Sequence, residues 1–263
     1  MYLNWNALTI DVFSDNKINS LYNEGYLFTR TGKGDMYQTR SIRIDLSKFE
    51  LSSENKRVLK KTEDIGFKVY DIPYEKYDWS IGKMAKDFYE TRFGRGTPAL
   101  NRAKGSGLVF SANKIKELLT TKHNFNKLFV YSLSLREAPE GDEAIPSKNG
   151  IATPSTSLRA RNDSVGYVIC HETNELLHYS YPFYNLDLKS YVLSPNTGMG
   201  MMLQAIIYAQ KQGKKYVYLG SAKDAKAKYK LQFAGLEWFD GKTWQTDLEE
   251  LKQQIMQNKQ QAD

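Results

Sequence analysis

The chain has 263 residues, 41% of them hydrophobic and 13% aromatic, which is enough apolar surface for one large packed domain or two modest ones and excludes a disordered chain. A single cysteine, Cys170, excludes an intramolecular disulfide and any thiolate cluster for zinc or iron–sulfur, and its place inside a strand-like run marks it as a core thiol. No run approaches the roughly 18 apolar residues that cross a bilayer, and MYLNWNALTIDVFSD lacks the basic region and cleavage site of a secretory leader, so the expectation is a cytoplasmic chain without a membrane or metal partner, whose formal charge of +7 favours an anionic one.

From the N-terminus, Leu27 to Asp45 predicts two strands joined by a turn at Gly32-Lys33-Gly34-Asp35, where glycine permits positive φ. Ser52 or Ser53 caps a helix expected to run to about Asp64, with Lys56, Arg57, Lys60 and Lys61 forming a basic stripe. GFKVYDI is a short strand, and Tyr74 to Phe93 has helical spacing with Trp79, Met84, Phe88 and Tyr89 inward. Arg92 to Gly107 is glycine-rich, basic and aperiodic, yet lacks the spacing of a phosphate-binding P-loop. Ser111 caps a helix through Leu119, KLFVYSLSL follows as a strand, and Arg136 to Ser164 carries no apolar period.

The C-terminal half has the clearest pattern. SVGYVICHETNELLHYSYPFY predicts a hairpin with one strand to Cys170, a turn at residues 171–174, and a second strand that Pro182 ends by removing a ladder donor. His171 and His178 in this hairpin are candidate general bases by residue type, although two histidines near a turn are more simply strand residues. Asn196 or Thr197 caps a helix through Gln212, with Gly213 as its C′ residue. KKYVYLGS is a strand, AKAKYKLQF a helix, Asp240-Gly241 a tight turn, and the tail from Thr246 a polar helix.

Hairpin, helix, strand, helix and short strand in this order resemble the second half of the GNAT acyltransferase fold, in which two parallel strands splay and the donor lies in the gap. Tyr218-Leu219-Gly220, Lys226-Ala227-Lys228-Tyr229-Lys230, Phe233, Leu236-Glu237 and Trp244 resemble the signature of the arginyl- and leucyl-tRNA–protein transferases, with a fainter N-terminal echo in Gly25–Arg30, Arg40 and Phe49–Lys61. The resemblance implies an α+β, GNAT-like fold, with an N-terminal α/β region over residues 1–105 packed on a C-terminal domain over 106–263. It implies an aminoacyltransferase that moves an amino acid from charged tRNA to a protein or peptide α-amine and needs no further cofactor. Tyr229 and Lys226 become the catalytic candidates, Tyr229 as a donor to the ester carbonyl or terminal ribose and Lys226 as a contact for the tRNA 3′ end. Lys56, Arg57, Lys60, Lys228 and Lys230 become tRNA contacts, with Tyr179 and Tyr181 at the donor.

Three departures accompany the resemblance. The family's cysteine cluster is missing, Ala227 replaces a methionine, and Tyr179-Ser180-Tyr181-Pro182-Phe183 offers no carboxylate for a transferred arginine. The alternatives are an acyl-CoA-dependent N-acetyltransferase, a peptidoglycan-type aminoacyl transferase, and a catalytically silent relative that binds RNA or protein. With acetyl-CoA as donor, Thr197, Gly198 and Gly200 would form the phosphate loop, although Pro195 stands where Arg or Gln is expected.

Overall fold

In the computed structural model, residues 4–93, 110–133, 164–186, 195–222 and 225–260 are described. The chain opens with β1 (Asn6–Thr9), α1 (Asp15–Asn23), β2 (Tyr26–Phe28) and β3 (Asp35–Gln38), and the three strands form an antiparallel sheet in the order β1-β3-β2. The turn between β2 and β3 holds Gly34 at φ +83°, and a β-carbon there would collide with the Ile10 carbonyl oxygen, so only glycine fits. The hairpin expected over 27–45 is therefore shorter. After Thr39 the chain leaves for a different sheet as β4 (Ser41–Asp45), because Ile42 and Ile44 bury completely in the larger core.

That larger sheet has eight strands. They comprise β4, β5 (Ile65–Asp71), β6 (Lys127–Leu133), β7 (Ser164–Glu172), β8 (Leu176–Tyr184), β9 (Tyr216–Ser221), β10 (Leu236–Phe239) and β11 (Trp244–Gln245), in the order β11-β10-β4-β9-β8-β7-β6-β5. All neighbours are antiparallel except β8 and β9, which are parallel and joined through the helix α5 (Thr197–Lys211). An antiparallel run into a crossover helix and a parallel strand is the α+β, GNAT-like arrangement expected from the element order. Strands from both sides of residue 105 share this one sheet, since β4 and β5 lie among strands of the C-terminal part.

Helices cover both faces. On one, α2 (Ser53–Lys61), α5 and α6 (Leu248–Gln260) pack on Ile42, Ile44, Val168, Val217 and Trp238. On the other, α1, α3 (Trp79–Phe93) and α4 (Ala112–Thr120) pack on Tyr167, Ile169 and Tyr218. Neighbours such as Val217 and Tyr218 thus serve opposite cores, as the period of two requires. Local signals place the helices well. Ser52 and Asn55 form a reciprocal capping box on α2, Ser111 accepts from Lys114 N at α4, and Gly213 adopts φ +69° after α5. Cys170 is fully buried, a core thiol whose pKa burial pushes up.

Four expectations change. Helix α2 stops at Lys61, where Thr62 caps it, and α3 starts at Trp79 rather than Tyr74. Ile81, Ala85, Phe88 and Tyr89 then face inward and Trp79 is 73% exposed. Pro182 does not end β8, which continues to Tyr184 with Pro182 opposite Val168. By that point β8 has lost its β9 neighbour and is an edge on that side, the setting in which a strand tolerates proline. The segment Ala225–Gln232 is a 3-10 helix. The glycine-rich loop, apart from Arg92 and Phe93, and nearly all of the aperiodic Arg136–Ser164 stretch lie outside the described residues.

The closing part of the sequence signature is explained by packing. Arg43 on β4 is 7% exposed, with its Nε 2.8 Å from Glu237 Oε2 and its guanidinium 3.9 Å from the ring centroids of both Tyr216 and Trp244. Glu237 and Trp244 thus neutralise and sandwich a buried cation.

Candidate functional site

Strands β8 and β9 pair over Leu176↔Tyr216, Leu177↔Val217 and His178↔Tyr218, and no further. Beyond that last pair β8 continues for six residues and β9 for three, so a gap opens between them. Each strand carries a bulge two residues past the final pair, on the ladder facing away from the gap. Against β7, Cys170 pairs with Tyr179 and Ile169 with Tyr181, which leaves Ser180 as the extra residue. Against β4, Arg43 pairs with Tyr218 and Ser41 with Ser221, so Leu219 and Gly220 together oppose Ile42. Gly220 has φ +83°, which is why this bulge requires glycine. Lys230 Nζ donates to the carbonyls on either side of it, to Leu219 O at 2.6 Å and Ser221 O at 3.4 Å. Two bulges in register turn the strands apart and re-aim the residues at the apex.

At that apex is a buried relay. His178 Nδ1 lies 2.9 Å from Tyr22 Oη, and His178 Nε2 lies 3.1 Å from Ser180 Oγ. Tyr22 Oη accepts from Phe28 N at 3.4 Å, and among the described residues His178 Nδ1 is the acceptor placed for its own hydrogen, so the tautomer that leaves no buried donor unpaired has Tyr22 donating to Nδ1. The imidazole then carries its proton on Nε2 and donates it to Ser180 Oγ. Ser180 keeps a hydroxyl hydrogen to donate, and among the described residues no acceptor is placed for it. Burial pushes the His178 pKa down to about 3, with His171 and Lys230 adding to the shift, so the ring stays neutral. His171 is likewise held down to about 4 by burial while its Nδ1 sits 2.7 Å from Asn124 O. Both are neutral interior residues.

Tyrosines are frequent on β8 beyond its last pair with β9. Tyr179 is 2% exposed and its hydroxyl has no partner among the described residues; burial raises its pKa, with Tyr131, Tyr229 and Tyr89 among the neighbours adding to it. Tyr181 and Tyr184 are half-buried, and Tyr229 is 47% exposed, with its phenol held above its usual pKa by desolvation and by Tyr184. Tyr89 Oη donates to Pro182 O at 2.9 Å, and Arg92 Nη2 donates to Tyr184 Oη at 3.0 Å, so the end of α3 meets the far end of β8. Among the expected residues, Tyr229 and Lys230 are adjacent on the 3-10 helix and Tyr229 is among the neighbours of Tyr179, whereas Tyr179 and Tyr181 pack into opposite cores of the sheet. The Lys226 side chain lies outside the described residues.

The other expected residues are more dispersed. Lys56, Arg57 and Lys60 are exposed on α2, with Arg57 ion-paired to Glu54, and Lys228 is exposed on the 3-10 helix. The apolar residues of both elements serve the same core, so these cations share one side of the sheet. At the start of α5, Thr197 is buried, Gly198 faces the Tyr184 ring, and Gly200 is pressed against Thr62 at the end of α2. Packing alone accounts for glycine at position 200.

A groove of about 640 Å³ beside the exposed Trp79 is lined by Lys83, Lys86 and Lys116, away from the gap. Among the described residues no group of three or more His, Cys, Asp or Glu side chains is arranged to hold a metal, and no helix is long and apolar enough to cross a membrane. No sequence motif marks Ser180, Tyr22 or Tyr89 as site residues. The contacts of Tyr22 with His178 and of Tyr89 with Pro182 cross more than 90 residues, for which a single sequence carries no local signal, and the Ser180–His178 contact depends on a bulge that the pairing with β7 defines.

No family model matches the chain, and no curated protein matches it. Among solved structures, it is similar to L-PGS from Bacillus licheniformis, with 12% identity and a TM-score of 0.40, covering 78% of this chain and 51% of that one. It is also similar to the C-terminal domain of a protein described as a lysylphosphatidylglycerol synthetase from Agrobacterium fabrum, with 10% identity and a TM-score of 0.41, covering 77% and 50%. A third is a GCN5-related glucosamine N-acetyltransferase region in a fungal multi-domain β-N-acetylglucosaminidase, with 9% identity and a TM-score of 0.41, covering 88% and 23%. The chain spans about half the length of the first two.

Proposed function

We propose that this chain is an acyltransferase working in the gap between β8 and β9, and that it moves an aminoacyl group from charged tRNA to the α-amine of a protein or peptide. The observation that carries this reading is the splay, at His178 and Tyr218, of the parallel strand pair among the described strands, with the Ser180 hydroxyl held at its apex. An aminoacyl ester is already activated, so the chemistry asks for positioning and for a donor to the developing oxyanion. The amine nitrogen attacks the ester carbonyl, a C–N bond forms, and the C–O bond to the terminal ribose breaks. The proton released by the amine leaves with the ribose oxygen. In this reading Ser180 donates to the carbonyl oxygen as charge builds there, and Tyr229 donates to the ester or ribose. An α-amine has a pKa near 8, so a useful fraction is neutral without a strong base. This agrees with two histidines that are buried and neutral.

The exposed cations Lys56, Lys60 and Lys228 supply a salt-sensitive phosphate contact on one side of the sheet. The acyl-CoA reading is less favoured because Gly200 is taken up by Thr62. Mass spectrometry of ligands captured by the purified full chain, together with transfer of labelled amino acids from total charged tRNA to a peptide library, tests the proposal. Labelled peptide α-amines are the expected result. Capture of CoA without RNA would overturn it, and charged tRNA bound without transfer would replace it with the silent relative.

A further inference from the structure

Two arginines three residues apart at the start of β4 are treated very differently. Arg43 is 7% exposed and fully provided for, with Glu237 on Nε, Asn23 and Tyr218 on Nη1, and an aromatic ring on each face. Arg40 is 6% exposed, and its Nε and Nη1 are buried with no hydrogen-bond partner. Among the described residues no carboxylate pairs with it. A guanidinium cannot shed its charge near neutral pH, and leaving such a cation buried and unpaired is costly. The Arg40 backbone lies beside the end of β9, on the side of that strand opposite β8. Its carbonyl accepts from Ala222 N at 2.8 Å, directly after β9, and the next residue, Ser41, pairs with Ser221. Gly220 and the Lys230 ammonium that bridges Leu219 O and Ser221 O are immediate neighbours of that pair.

We propose that Arg40 is the receptor for an oxyanion, a phosphate or carboxylate group, bound beside the end of β9 where Arg40 meets Ala222. The unmet N–H groups are the donors such a group accepts, and charge-assisted bonds to it would offset the burial of the cation. The inference concerns anion binding and not the transfer reaction, so it can fail while the acyltransferase reading stands, and the reverse.

The test uses the full chain and thermal unfolding in buffers of equal ionic strength containing chloride alone, inorganic phosphate or acetate. Phosphate, acetate or both should raise the wild-type midpoint in a saturable way, and the arm that does so identifies the chemistry. Arg40→Met should abolish that shift, and its midpoint in chloride should equal or exceed wild type, because the uncompensated cation is gone. Lys252→Gln, which removes an exposed lysine elsewhere, should leave the shift intact. Should Arg40→Met be insoluble, Arg40→Lys keeps the charge without the planar fork and should cut the anion affinity at least three-fold. No saturable shift in wild type, a shift retained in Arg40→Met, or an unchanged affinity in Arg40→Lys would overturn the proposal.

Discussion

His178 Nε2 stands 3.1 Å from Ser180 Oγ, so the last residue that β8 pairs with β9 also fixes the hydroxyl of the bulge that ends the pairing. Because Tyr22 holds the other ring nitrogen, the imidazole presents a hydrogen to Ser180 and leaves the serine hydrogen free to serve a substrate oxygen. Ser180→Ala should therefore lower kcat about 100-fold, the usual scale for one oxyanion donor, with KM within about two-fold. Tyr22→Phe removes the group that sets the tautomer and should give a smaller loss of kcat. Steady-state rates of aminoacyl transfer decide it. Equal kcat in wild type and Ser180→Ala would remove the serine from the reaction.

The two buried histidines set a pH limit on the fold. Their pKa values, about 4 for His171 and about 3 for His178, lie below the unfolded value near 6.5, so between these limits the unfolded chain binds more protons. Their contribution is fully present above about pH 6.5 and is lost as pH falls toward 4 and then 3. At pH 5 each should have cost about 2 kcal/mol, from 1.4 kcal/mol per unit over about 1.5 units. His123, lowered by burial and by Lys114, adds in the same direction. Urea unfolding at pH 7.5 and 5.0 measures the difference. His178→Gln, which removes one titrating ring, should flatten the dependence, and a stability that does not change across this range would contradict the assigned burial.

How much of this was legible depended on sequence separation. The caps at Ser52 and Ser111 and the glycine after α5 are set within a few residues of their helices, and reading them from the sequence succeeded. The partner of β4 lies some 175 residues away in β9, so a run that looked like one long hairpin was split between two sheets. Helical spacing carried back to Tyr74 turns Trp79 inward. Starting five residues later, the inward face is set by Ile81, Ala85, Phe88 and Tyr89, and Trp79 faces solvent. The element order signalled the parallel strand pair that separates after His178 and Tyr218. Neither the bulges that open it nor the unmet guanidinium of Arg40 leave a mark in periodicity or composition.

Gly220 and Lys230 form the hinge of the gap, and they should separate from Lys228 in experiment. An alanine at φ +83° is strained, so Gly220→Ala should cost about 1–3 kcal/mol, and Gly220→Asn less, because asparagine visits this region more readily. Lys230→Ala removes the ammonium that bridges the flanking carbonyls and should also lower the urea midpoint. Lys228→Ala, on an exposed side chain, should leave stability within about 0.5 kcal/mol while weakening tRNA binding and flattening its salt dependence. The inverse pattern, with Lys228 governing stability and Lys230 only the salt slope, would refute these assignments.

Gly200 separates two accounts of the α5 N-terminus. A β-carbon there would lie 2.4 Å from Thr62 Oγ1 and 2.8 Å from Thr62 Cβ and Cγ2, inside any tolerable contact. Thr62 cannot turn away, since its Cβ is fixed to the α2 backbone and its hydroxyl donates to Val58 O at 3.0 Å. Gly200→Ala must therefore push α2 from α5, at a cost of about 1–3 kcal/mol for overpacking. Thr62→Gly removes all three colliding atoms, so the double variant should recover most of that loss, with a coupling energy above about 1 kcal/mol. A glycine kept open for a donor phosphate behaves otherwise. Gly200→Ala would then weaken donor binding with little change in stability, and Thr62→Gly would rescue nothing. Urea unfolding of the four proteins in the cycle, with donor affinity measured beside it, distinguishes the two.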